Sequence, residues 1–99
     1  NGSQSDTVFK NLPPSLPALM YAVDIYKQIQ KQGLPTGSLV DEDSIENLTN
    51  SIDEEMAGAL LFEIAAACRR KGIDPESSVR RYSRAVKSET EALDSRVTS

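Results

Sequence analysis

The sequence predicts an all-α domain of four helices, and three observations lead there. Apolar residues recur at three- and four-residue spacing in four separate stretches. Capping residues and Gly or Pro breakers bracket those stretches. No segment of useful length carries a strand pattern.

The first helix follows the breaker Leu12-Pro13-Pro14-Ser15, with Ser15 placed to cap it and Pro17 tolerated in its first turn. Leu16, Leu19, Met20, Val23, Tyr26 and Gln30 keep helical spacing, and Ile25 and Ile29 widen the apolar face. Gly33 ends the helix and Pro35 prevents its continuation. A loop to Leu39 leads to a short second helix, capped by Asp41 or Asp43, with Ile45, Leu48 and Ile52 on one face. Asn47, Asn50 and Ser51 weaken it by competing for backbone hydrogen bonds.

The third helix spans 54–71. Asp53 caps it, Glu54 and Glu55 favour its positive end, and Arg69, Arg70 and Lys71 favour its negative end before Gly72 stops it. It is apolar almost all round, with a Met56, Leu60, Ile64 stripe, and so belongs at the centre of the bundle or against a partner. Cys68 within it reads as a small buried hydrophobe. Asp74-Pro75-Glu76 is a cap, a first-turn proline and an acid, and starts a fourth helix running to about Leu93. Val79, Tyr82, Val86 and Leu93 form its apolar stripe. Residues 1–8 and 94–99 read as tails around a domain at 9–93.

Composition narrows the function classes. Ninety-nine residues with five aromatics and no Trp give a small aliphatic core, for which oligomerisation is a common remedy. A net charge of −4 argues against nucleic acid or an anionic membrane as the partner. No stretch is long and apolar enough for a signal peptide or a membrane span, so a cytoplasmic location is the expectation. One cysteine excludes an internal disulfide and a Cys-based zinc site. The absence of His excludes histidine catalysis and the commonest transition-metal sites, leaving only a hard cation held by carboxylates. The start Asn1-Gly2-Ser3, without Met, is what a domain cut from a longer protein would show.

Three stretches carry a resemblance. Leu12-Pro13-Pro14-Ser15-Leu16-Pro17-Ala18-Leu19 leads into Lys27 and Lys31. Glu54-Glu55-Met56-Ala57-Gly58-Ala59-Leu60-Leu61-Phe62 opens the third helix. Lys71-Gly72-Ile73-Asp74-Pro75-Glu76 is followed by Arg80-Arg81. In this order and spacing they resemble MazG-type nucleoside triphosphate pyrophosphohydrolases, in particular the second MazG domain of tandem members, over about residues 9–90.

The resemblance implies a four-helix MazG-like bundle completed by dimerisation or by a neighbouring domain. It also implies magnesium-assisted release of pyrophosphate from nucleoside triphosphates, with the metal held by Glu-x-x-Glu on one helix and Glu-x-x-Asp on the next. Carboxylates one helical turn apart point the same way, which suits an octahedral cation. Metal at that place would neutralise phosphates and activate water.

Residue by residue, the metal site is largely absent. Gly58 and Leu60-Leu61-Phe62 set the register, which puts Met56 at the family's glutamate and Ala59 at its aspartate. On the preceding helix Glu46 keeps one place and Thr49 stands at its partner, while Asp43-x-x-Glu46 is a substitute pair only in a shifted register. Ala66 replaces the family's asparagine, and Ser83-Arg84-Ala85-Val86 replaces its Asn-x-Lys-Phe pattern. Neither methionine nor alanine coordinates magnesium, and the expectation is that Met56 and Ala59 have joined the core.

The leading expectation is therefore a degenerate MazG-like domain with a structural or dimerising role and no cofactor. It would be a homodimer, or pack on another MazG domain. The alternative is an active Mg²⁺-dependent enzyme that binds nucleoside triphosphates through relocated ligands Asp43, Glu46 and Glu55. An unrelated helical adaptor is the third reading. Lys27, Lys31, Arg80, Arg81 and Arg84 are the candidate phosphate contacts. The same acids and bases also read as dipole-compensating first-turn acids and a solvated charged face.

Overall fold

The computed structural model describes residues 8–10, 12–13 and 15–94. Among them it forms four helices and no strand: α1 Ala18–Gln32, α2 Glu42–Ser51, α3 Glu54–Lys71 and α4 Pro75–Leu93. The caps explain most of the boundaries. Asp41, not Asp43, caps α2, accepting from the Ser44 N–H at 3.1 Å and the Ser44 hydroxyl at 3.0 Å. Asp53 accepts from the Met56 N–H at 2.9 Å, and Asp74 from the Glu76 N–H at 3.0 Å and the Ser77 hydroxyl at 2.9 Å. Gly33 and Gly72 end α1 and α3 at φ 63° and 73°, the left-handed region where a Cβ is penalised.

One cap differs from expectation. The α1 helix begins at Ala18 after Pro17, and no local side chain caps it; Ser15 lies in the turn closed by the Leu16 N–H to the Pro13 carbonyl at 3.2 Å. The acceptor comes instead from α4, where the Glu76 carboxylate takes the Ala18 N–H at 3.3 Å. Arg80 adds a 2.6 Å bond to the Leu16 carbonyl and lies 5.7 Å from the Tyr21 ring centroid. The starts of α1 and α4 are thus tied together.

The core lies between α1, α4 and the segment before α1. Tyr21, Ile25 and Ile29 bury one side of α1 against Val86, Leu34, Val8 and Phe9. Residues 8–10 run along α1 because two glutamines one turn apart supply hydrogen bonds to their backbone. Gln28 bonds both the N–H and the carbonyl of Lys10, and Gln32 donates to the Val8 carbonyl at 2.9 Å. Further along, Tyr82 of α4 donates to the Leu39 carbonyl at 2.7 Å and Glu89 accepts from the Leu39 N–H at 3.3 Å, pinning the α1–α2 loop. A Cβ on Gly37 would collide with that Glu89 carboxylate.

Several expectations need correcting. Val8, assigned to a tail, is buried, and so is Asp94, which ends α4 with its N–H on the Thr90 carbonyl at 3.0 Å. The rest of both tails, 1–7 and 95–99, lies outside the described residues. On α1 the buried side is Ala18, Tyr21, Ile25 and Ile29, while Leu19, Met20 and Val23 face outward. On α4 the buried stripe is Ser83, Val86 and Thr90, and Leu93 is exposed. The reason is geometric: the helix carries two adjacent stripes, and the smaller residues sit where α1 approaches closely.

The largest correction concerns α3. No residue of α2 or α3 is buried. The α2 helix meets another helix only at its first turn, where Glu42 accepts from Tyr26 of α1, and α3 packs only lightly against α4. Met56 and Ala59 are exposed rather than in a core, and Cys68 is half-buried. The radius of gyration, 15.0 Å, exceeds the roughly 13 Å of a compact chain of this length.

Candidate functional site

The acidic residues flank the α2–α3 corner. Asp43 and Glu46 lie one turn apart on α2 and Glu55 in the first turn of α3, all exposed. Among the described residues no group of three or more acidic or cysteine side chains converges as a metal would require. Glu42 instead accepts a hydrogen bond from Tyr26 of α1 at 2.9 Å. That bond, with burial and the nearby charges of Glu42 and Glu46, raises the Tyr26 phenol above its ordinary value. The Asp41 carboxyl is held below the usual carboxylate range mainly by the Ser44 N–H. Asp74 is held down first by the Ser77 hydroxyl. Both are helix caps, so neither shift marks chemistry.

The basic residues divide in the same way. Lys27 pairs with Asp24 on α1 at 3.6 Å, and Lys31 occupies the last turn of that helix. Arg80 is turned onto Leu16 and Tyr21 and serves the junction of α1 and α4. Arg81 and Arg84 are exposed on α4. A groove belongs to α3 alone, between the Phe62-Ala66-Arg70 and Glu63-Ala67 ridges.

The dominant surface feature is apolar. On α3 Phe62 is 73% exposed, Ile64 56% and Leu61 46%. Leu48 of α2, Ile52 just after it and Ile73 after α3 are open as well, as are Leu19, Met20 and Val23 on α1. Monomeric proteins rarely leave such a set of large side chains in water, and a helix apolar all round is ordinarily a covered one. The sequence pattern put this helix at the centre of the bundle or against a partner; within its own chain it is not central, and no residue of it is buried. The structural roles of Gln28, Gln32, Glu76 and Glu89 were missed; polar side chains bonding distant backbone leave no periodic signal. The Gln28–Gln32 spacing on one helix face, after an apolar Val8-Phe9 pair, was the available hint. No family model matches the chain, and no characterised protein or solved structure matches it either.

Proposed function

We propose that this chain is a self-associating helical scaffold, a MazG-like domain whose metal chemistry is lost and whose α2–α3 arm serves as its contact surface. The observation that carries the reading is the exposure of Leu61, Phe62 and Ile64 on a helix with no buried residue. Two further features support it. Met56 and Ala59 occupy the positions where the resemblance would place metal ligands, and the acids Asp43, Glu46 and Glu55 do not converge as a relocated site would.

The test combines two measurements on the full chain. Pyrophosphate release is followed from a panel of standard and damaged nucleoside triphosphates, with magnesium and with manganese. Sedimentation is run at micromolar concentration. The expected outcome is a dimer with no turnover above the blank. Metal-dependent turnover abolished in a Glu46→Ala, Glu55→Ala variant would establish the enzymatic alternative, and a clean monomer would end the scaffold reading.

A further inference from the structure

Resting on that scaffold reading, we infer that the Leu61–Ile64 face of α3 is covered by the α3 helix of a second copy, packed antiparallel about a two-fold axis at the axial midpoint of the helix. The argument begins with spacing. Glu54, Ala57, Leu61, Ile64, Cys68 and Lys71 are separated by three, four, three, four and three residues, the seam of a coiled coil. This seam reads the same from both ends in a specific sense. Reversing one copy about the midpoint of α3 sets Leu61 beside the partner's Ile64 and Ala57 beside the partner's Cys68. Glu54 then meets the partner's Lys71, and off the seam Glu55 is brought level with the partner's Arg70. Each pair occurs twice, as an isologous contact requires.

Charge selects the orientation. Asp53, Glu54 and Glu55 stand at one end of the helix and Arg69, Arg70 and Lys71 at the other. Antiparallel packing joins acid to base at both ends and opposes the helix dipoles favourably. Parallel packing would set the three acids against three acids and the three bases against three bases. Charge also selects the face. A two-fold axis through the groove on the other side of α3 would bring Glu63 against the partner's Glu63 within about one helical rise, with both charges desolvated. The Leu61–Ile64 seam carries no charge at its centre.

The seam's central side chains are open to a partner: Leu61 is 46% exposed and Ile64 56%.

The lone cysteine makes the orientation measurable. In the antiparallel pair Cys68 and the partner's Cys68 are eleven residues apart along the axis, roughly 16 Å, too far to bond. In a parallel pair they would face each other. The full-length chain is therefore oxidised with copper phenanthroline at a concentration where sedimentation shows a dimer. The wild type, Ala57→Cys, and Ala57→Cys with Cys68→Ser are compared on non-reducing gels, and linked peptides are identified by mass spectrometry. The expected result is covalent dimer gained in Ala57→Cys through residues 57 and 68, and lost again in the double variant and the wild type. Wild-type dimers linked through Cys68 would overturn the antiparallel arrangement. A sedimenting dimer that Ala57→Cys fails to lock would overturn the α3 seam while leaving self-association standing. A monomer at all concentrations would remove both.

Discussion

The two halves of the chain solve the problem of apolar surface differently. Between α1 and α4, Tyr21, Ile25, Ile29 and Val86 are buried within one molecule, sealed by Val8 and Phe9. In the α2–α3 half, side chains just as apolar remain in water, and no residue is buried. The difference is not hydrophobicity, because α3 is as apolar as α1 and far more so than α4. It lies in the polar bonds that position neighbours. Glu76, Arg80, Tyr82 and Glu89 of α4 bond the backbone at Leu16, Ala18 and Leu39 and so draw α1 and its loop onto α4. No comparable bond from elsewhere in the chain draws α3 anywhere among the described residues. Intramolecular closure here is directed by hydrogen bonds and completed by apolar burial.

The sharpest break of this comparison is a pair of substitutions. Ile25→Ala removes a buried side chain and should cost about 2–5 kcal/mol, lowering the melting temperature by at least about 10 °C in a calorimetric scan. Ile64→Asp, on exposed surface, should leave the circular dichroism of dilute protein unchanged while raising the dimer dissociation constant roughly 30-fold or more in sedimentation equilibrium. Equal effects on fold stability from both would erase the distinction between the halves.

A smaller effect is expected where loop meets helix. Gly37→Ala pushes the Glu89 carboxylate off the Leu39 N–H and should cost about 1–2 kcal/mol in urea unfolding. Glu89→Gln, which keeps an acceptor, should cost less. In the opposite direction, the Thr90 hydroxyl is 1% exposed as a residue and has no hydrogen-bond partner for its Oγ1. Thr90→Val should therefore stabilise the closed half by about 1 kcal/mol without changing self-association. A loss of stability would mean that the hydroxyl is satisfied in solution.

The mildest effect concerns acid. The folded values of Asp41 and Asp74 lie below the unfolded one, so their capping contribution is complete above about pH 4, the ordinary aspartate range. It is lost as pH falls further, through the lower folded values. Amide resonances of Ser44, at the start of α2, and Ser77, at the start of α4, should move together below that pH. Shifts centred well above it would contradict the depressed values.

Much of this architecture is legible in the sequence because it is local. Asp53, Asp74-Pro75, Gly33 and Gly72 mark helix ends through chemistry acting within one turn, and they placed α3 and α4 closely. Which stripe of α1 or α4 is buried was not legible. Leu19 and Met20 fit helical spacing as well as Tyr21 and Ile25 do, and only the position of α4 decides between them. The candidate site fared similarly. That Met56 and Ala59 offer no oxygen to a cation is plain from the sequence, whereas their exposure depends on what packs against α3. Arg80 read as a surface cation because sequence cannot show its bond to Leu16 and its position beside the Tyr21 ring.

The clasp between the starts of α1 and α4 also has a kinetic side. The contact from Glu76 to Ala18 spans 58 residues and that from Arg80 to Leu16 spans 64, so the stable half closes only after α4 has been synthesised. Long-range closure of this kind is slow relative to the formation of single helices. During that interval α3, already helical and bare, precedes the element that completes the core. A nascent chain therefore displays the exposed apolar side chains of α3 before its own fold is finished, and its greatest exposure to misassembly falls in that window.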